Sequence, residues 1–256
     1  MLRKSITIIF IILSTLVCTD CAGPKKDVAS DKKRAEAFQN LGASYVREGK
    51  LREGLRNLHQ ALKLDPNNAE LHNQIALVYM DLAEYDASLR HFKRALALKP
   101  RFPGVQNNMG NLYLLLRKWD QAIASYQKAV ADVLYQTPHY AYTNMGLAYY
   151  NKGDYEKAIE SYQHSLALEP TYSTTYFNLA YAYETTEKWE EAILAYQKAI
   201  QYLPNDPAAY YRLGKLYLKL DRKKEASKAF EQFLDIAPKG PYEEEVKEIL
   251  KTIQKK

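Results

Sequence analysis

Histidine and cysteine are among the side chains that most often bind metals or act as nucleophiles. This chain of 256 residues has only five histidines and two cysteines. No two histidines have the i, i+4 spacing that places a pair of metal ligands on one helix face, and no glycine-rich phosphate loop is present. Two cysteines are too few for a four-cysteine zinc site or a disulfide framework. The sequence therefore predicts a protein that is not an enzyme, binds no metal or cofactor and has no small-molecule substrate.

Both cysteines directly follow an apolar segment near the N-terminus. Arg3 and Lys4 precede a mainly apolar run over residues 6–17. A membrane-spanning helix needs about 20 apolar residues, so this shorter run favours a secretory signal peptide over residues 1–20. We predict that Cys21, which follows that signal, is acylated and anchors the protein to a membrane.

Several alternatives stay open for this segment. Cys18 also follows the apolar run, and Asp20 stands directly before Cys21, where lipoprotein signals usually have Gly or Ala. An uncleaved anchor helix and an ordinary signal peptide cleaved elsewhere are the other interpretations. Cys18 and Cys21 have C-x-x-C spacing, but the βαβ pattern of redox proteins does not surround them.

The net charge is small and dispersed. The chain has 36 Lys+Arg and 30 Asp+Glu, a net charge of +6 that is spread along its length, so we expect no nucleic-acid partner. A charged fraction of 26% together with 12% aromatic residues argues against disorder as the main state. The unusual feature is the 22 tyrosines, which indicate a repeat or a binding surface.

An internal repeat of about 34 residues accounts for most of the tyrosines. When repeats begin at residues 35, 69, 103, 139, 173 and 207, every one has tyrosine at its eleventh position, which we call column 11. The small residues of column 8 are Gly42, Ala76, Gly110, Gly146, Ala180 and Gly214. Columns 4, 7, 8 and 11 mark the apolar face of one helix (helix A), and columns 17, 20, 24 and 27 mark that of a second (helix B).

These columns resemble the tetratricopeptide repeat family over residues 35–240. The resemblance implies an all-α fold, a right-handed α-α superhelical solenoid of six helical hairpins that stack because one hairpin cannot bury its own apolar face. The predicted repeats are 35–68, 69–102, 103–138, 139–172, 173–206 and 207–240. Residues 241–256 are predicted to form a capping helix, and residues 21–34 a linker.

The third repeat is two residues longer than the others. We expect its helix B to continue past its usual end until Pro138 breaks it. The stretch Tyr-x-Thr-Pro-x-x-Ala-x-x-Asn-x-Gly, residues 135–146, resembles the centre of the type IV pilus biogenesis lipoproteins called secretin pilotins (PilF/PilW/Tgl type). His139 stands where that family usually has Glu.

The narrower resemblance implies a lipid-anchored, periplasm-facing protein of the bacterial outer membrane. It implies a role in the membrane targeting and multimerisation of the pilus secretin, whose subunit or an extended segment of it would be the partner. Two alternatives stay open. One is a general envelope scaffold that gathers cell-wall enzymes, and the other is a targeting subunit of a transferase or secretion complex.

In tetratricopeptide proteins helix A lines the groove. The four asparagines of column 6 can donate to and accept from the backbone of an extended peptide, or can instead bond a neighbouring helix. Groove columns of repeats 4 to 6 also carry aromatic residues, which offer contact area or shield seams between repeats. The predicted peptide-binding residues are Asn40, Asn108, Asn144, Asn178, Tyr140, Phe177, Tyr181 and Tyr211. The family's carboxylate clamp is not matched, so chaperone tails are not expected partners.

Overall fold

The structure, a computed structural model, describes residues 28–254, which form thirteen α-helices and no strand. The predicted signal peptide, Cys18 and Cys21 lie outside the described residues. In chain order the helices are α1 Val28–Arg47, α2 Leu51–Leu64, α3 Ala69–Asp81, α4 Tyr85–Leu98, α5 Pro103–Leu115, α6 Trp119–Val130, α7 Pro138–Lys152, α8 Tyr155–Leu168, α9 Ser173–Thr185, α10 Trp189–Tyr202, α11 Pro207–Lys219, α12 Lys223–Ile236 and α13 Glu243–Gln254.

Local signals fix where the helices begin and turn. The Asn68 side chain accepts hydrogen bonds from two backbone N–H groups at the start of α3, and proline occupies the first turn of α5, α7 and α11. Between helices A and B, column 15 has a positive φ in every repeat. Its residues are Gly49, Ala83, Arg117, Gly153, Glu187 and Asp221. Only two are glycine, so the tight turn is imposed by the helix packing around it.

Each repeat is a pair of packed helices with its column 8 residue against the side chain of column 24. A Cβ atom placed on Gly110 or Gly146 would lie 2.5 Å from the ring of Tyr126 or Tyr162. Both rings are at most 1% exposed, so these glycines let helix A approach the aromatic ring of helix B. The predicted all-α fold of consecutive helical pairs is confirmed.

The pairs stack in chain order, each helix B against the helix A that follows. Helices A of neighbouring repeats also touch, α3 with α5, α5 with α7 and α7 with α9. The apolar cores of repeats 4 to 6 join into one cluster that ends on α13, where Val246 and Leu250 are buried. Because helices A of neighbouring repeats touch one another, they line the inner face of the stack, where a groove would lie. Within residues 28–254 no helix is both long and apolar enough to cross a membrane.

Two predicted boundaries are wrong. The linker was expected to reach residue 34, but α1 begins at Val28, and its first turns are exposed and carry an ion pair of 3.2 Å between Arg34 and Asp31. Lys, Arg, Glu and Ala are good helix formers. The lack of an apolar stripe in this segment therefore indicated that its side chains are exposed, not that the segment is non-helical.

The helix B of repeat 3 does not continue to Pro138. Helix α6 ends at Val130, and residues 131–137 form a loop, which we call the junction loop. Asp132 stops the helix because its Oδ1 atom accepts a hydrogen bond of 2.9 Å from the backbone N–H of Leu134. This side-chain hydrogen bond stabilises a turn and competes with the continuation of the helix.

Candidate functional site

The predicted binding residues lie on the helix A side but divide between two pockets and the positions beside them. Asn108, Asn144 and Tyr140 line one pocket, whereas Phe177 and Tyr211 line another. Tyr181, on α9, lines neither pocket. Asn40 is exposed on α1, far along the stack.

The first pocket, which we call the asparagine pocket, has a volume of about 390 Å³. It lies between α5 and α7 and is closed on one side by the junction loop. Its lining residues are Gly104, Asn107, Asn108, Asn111, Tyr135, Thr137, Tyr140, Asn144 and Tyr172. None of them carries a charge, so the pocket offers amides, hydroxyls and aromatic rings alone.

Amides of this region bond neighbouring helices. The Nδ2 atom of Asn108 donates to Oδ1 of Asn73 over 3.1 Å, and that of Asn144 donates to Oδ1 of Asn111 over 3.0 Å. Asn111 Oδ1 also accepts from the hydroxyl of the buried Tyr126 at 2.7 Å. These contacts support the stiffening role for Asn108 and Asn144. By contrast, the side chain of Asn178 makes no hydrogen bond to another described residue.

An ion pair holds the junction loop in place. Asp132 accepts from Nε and Nη2 of Arg101 at 2.8 and 2.9 Å. The hydrogen bond from Arg101, assisted by the backbone N–H of Leu134, lowers the pKa of Asp132 to about 2. The loop is thereby fixed at both ends, because Tyr135 packs against the core of repeats 3 and 4. Tyr135 and Thr137 form one wall of the asparagine pocket.

The second pocket, which we call the aromatic pocket, has a volume of about 310 Å³. Its lining residues are Phe177, Pro207, Ala208, Tyr211, Arg212, Phe233, Ala237, Pro241 and Tyr242. The ring of Tyr211 stacks on Tyr242 with centroids 4.4 Å apart, and its hydroxyl donates to Glu245 over 3.0 Å. Burial, together with Glu245, raises the pKa of Tyr211 to about 12. The capping segment thus forms one wall of this pocket.

Tyr181 connects the aromatic pocket to repeat 4. Its ring lies 5.2 Å from that of Tyr150, and the guanidinium of Arg212 lies over it at 4.6 Å. Such a cation–π contact attracts the guanidinium to the aromatic ring. Phe177 packs edge-on against Tyr196 with ring centroids 5.7 Å apart.

Sequence reasoning missed several residues of these pockets. Asn107 and Asn111 belong to columns 5 and 9, and they were detectable only by tabulating those columns beside column 6 in repeat 3. Tyr172 and Tyr242 come from loops, where a repeat pattern gives no orientation. Tyr135 was assigned to a continuation of α6, but α6 ends at Val130.

Three histidines meet at the junction of repeats 1 and 2, although they are distant in sequence. Nδ1 of His72 lies 3.0 Å from Nδ1 of His91, and Nε2 of His59 lies 3.0 Å from the Tyr79 hydroxyl. Burial, helped by the charges of His72 and His59, lowers the pKa of His91 to about 4. Among the described residues no group of three or more His, Cys, Asp or Glu side chains is placed to hold a metal ion.

This cluster predicts a pH-dependent stability. As the pH falls below 6.5 the unfolded chain protonates His91 before the folded protein does, so the free energy of unfolding should fall between about pH 6.5 and 4. His91→Gln should flatten this dependence, measured by urea unfolding at several pH values. His164→Gln, at an exposed position, is the control. An unchanged slope in His91→Gln would contradict the assignment.

Comparison with known proteins agrees with this architecture. A family model for the C-terminal domain of cilia and flagella-associated protein 70, a tetratricopeptide region, matches residues 102–236. Tetratricopeptide repeat models match residues 42–82 and 69–102. No curated protein matches the chain in sequence.

Solved structures share the fold at low sequence identity. The structure of PilW, described as a widely conserved type IV pilus biogenesis factor, is 23% identical with a TM-score of 0.75 and covers 86% of this chain and 98% of its own. Pseudomonas aeruginosa pilF is 20% identical with a TM-score of 0.74, covering 86% and 99%. The APC/C assembly Cut9–Hcn1 is 21% identical with a TM-score of 0.68, covering 86% and 43%. With one model spanning more than half of the sequence and six stacked helical pairs in the structure, the chain belongs to the tetratricopeptide repeat family.

Proposed function

We propose that this protein is a non-enzymatic interaction scaffold of the bacterial cell envelope that assists assembly of a type IV pilus secretin. The tetratricopeptide fold supports a role in binding protein partners. The observation that carries the finer assignment is the likeness to PilW and pilF over nearly their whole lengths and over 86% of this chain.

The partner is an extended segment, such as one from the secretin subunit, lying across repeats 4 to 6. Phe177, Tyr181 and Tyr211 offer apolar ring surface there, and Asn178 offers an amide that no described residue uses. The aromatic pocket accepts an apolar side chain while Asn178 bonds the backbone beside it. Asn40 stays a predicted contact for a segment that extends toward repeat 1.

Secretin assembly in the native host tests this function. Deleting the gene should abolish detergent-resistant secretin multimers, and expressing the protein again should restore them. Intact multimers in the deletion strain would contradict the pilus role. A cell-wall defect in that strain would instead favour a general scaffold for cell-wall enzymes.

The proposed position is the periplasmic face of the outer membrane, with the lipid on Cys21. Cys21→Ser should therefore move the protein from the membrane fraction to the soluble periplasm, measured by fractionation and immunoblotting. Cys18→Ser is the control and should leave it membrane-bound. Release by Cys18→Ser alone would identify the other cysteine as the lipid site, and membrane retention of both variants would contradict the lipid anchor.

A further inference from the structure

The asparagine pocket has a chemistry different from that of the aromatic pocket. Four asparagines, three tyrosines, a threonine and a glycine line it, and no charged side chain does. Its volume of about 390 Å³ falls within the range of about 300–1,000 Å³ that is usual for small-molecule sites. An uncharged lining disfavours phosphates, nucleotides and free amino acids, whose charges would lack a partner there. The ligand that fits is neutral and rich in hydrogen-bonding groups.

The hydrogen bonds within the pocket define what a ligand must supply. Because Asn108 and Asn144 already donate from Nδ2 to neighbouring helices, their Oδ1 atoms keep accepting capacity. Asn111 accepts at Oδ1, so its Nδ2 keeps two donors. The free acceptors and donors thus stand close together, which matches hydroxyl groups that each donate and accept.

Asn107 shows that one amide of the polar lining does not stabilise the fold through its oxygen. Its side chain is 8% exposed, and its Oδ1 atom has no hydrogen-bond partner among the described residues. An unpaired buried amide oxygen destabilises a fold, so an apolar residue of similar shape would serve packing better. Replacing Asn107 by leucine is therefore expected to keep the fold.

The tyrosines complete the chemistry. Tyr140 is 43% exposed at the rim, and its ring lies 5.3 Å from that of Tyr172 in an edge-on arrangement. Exposed aromatic faces stack against the C–H faces of sugar rings, while amides bond the ring hydroxyls. We propose that the asparagine pocket binds a short neutral saccharide, an activity that goes beyond the proposed partner binding and replaces the peptide contacts predicted for Asn108, Asn144 and Tyr140.

An extended peptide is the competing ligand class, and the geometry favours it less. A peptide strand requires groups at a regular spacing along an open groove. The junction loop instead closes one side of this pocket with Tyr135 and Thr137, so the free amides form a local cluster. A compact polyol matches such a cluster better than a strand does.

Saturation-transfer NMR on the full chain tests the proposal, with N,N′-diacetylchitobiose and maltose as probes. Any detergent must lack a sugar headgroup. We expect transfer from the protein to the ring protons of at least one disaccharide. Asn107→Leu and Tyr140→Ala should each raise its dissociation constant at least tenfold. Asn107→Leu should also melt at the same or a higher temperature than the parent protein, which separates lost binding from lost folding.

Asn151→Leu, on the same helix α7 but outside the pocket, is the matched control and should bind as the parent does. No transfer to either disaccharide from the folded parent would overturn the proposal, as would binding that both pocket variants leave unchanged. Transfer to the blocked peptide acetyl-Ala-Ser-Ala-Ser-amide that is lost in both variants, with none to the disaccharides, would assign the pocket to a peptide. Partner binding at Phe177 and Asn178 is measured separately and does not depend on this result.

Discussion

Gly146→Leu should lower the free energy of unfolding by about 1–3 kcal/mol, the usual cost of overpacking a core. A Cβ atom at this position would lie 2.5 Å from Cε1 and 2.7 Å from Cδ1 of Tyr162, whose side chain is 1% exposed. The ring has no free space into which it can move, so α7 and α8 must separate. Chemical unfolding followed by circular dichroism measures the loss.

Gly104→Leu is the matched control, because nothing lies within 4 Å of a Cβ atom at that helical glycine. It should be neutral or stabilise the protein by up to about 1 kcal/mol, since leucine is the better helix former. In a solenoid, stability is carried by neighbouring interfaces, so Gly146→Leu should also split the unfolding into two transitions. A single transition with an unchanged midpoint would contradict this packing.

Phe177→Ala combined with Asn178→Ala should weaken partner binding tenfold or more. A hydrogen bond contributes about 0.5–1.5 kcal/mol and burial of a phenylalanine side chain about 1.5–3 kcal/mol, whereas a factor of ten requires only about 1.4 kcal/mol. Both residues lie on α9, Phe177 in the aromatic pocket and Asn178 beside it. The measurement is calorimetric titration with a secretin segment, or secretin multimer formation in cells.

Glu156→Ala is the control, because this exposed carboxylate lies on helix B, away from the groove face. It should leave binding unchanged. Circular dichroism must show that the double variant keeps its helix content, since a melted fold would make Phe177 and Asn178 structural residues. Full binding by the folded double variant, or loss of binding in Glu156→Ala, would show that the partner binds a different surface of the protein.

The sequence by itself determined the repeat architecture. Tyrosine at column 11 and small residues at column 8 recur with a period that only stacked helical pairs satisfy, because each pair needs the same close approach in the same place. The positions of Gly110 and Gly146 in that period are therefore enough to locate two of the close approaches between helices. The apolar spacing of Val246 and Leu250 likewise predicted a capping helix, whose inner face is buried.

Only the tertiary structure decided which polar side chains face one another. The sequence left the column 6 amides equally suited to a peptide or to a neighbouring helix, and the outcome depends on distances between repeats that periodicity does not contain. Asn144 reaches Asn111 because α5 and α7 are adjacent on the inner face. The place of the junction loop was missed for a similar reason, since the ion pair that holds Asp132 joins it to Arg101, 31 residues away. Local periodicity reports burial along one helix, whereas a binding site is made of groups that separate helices bring together.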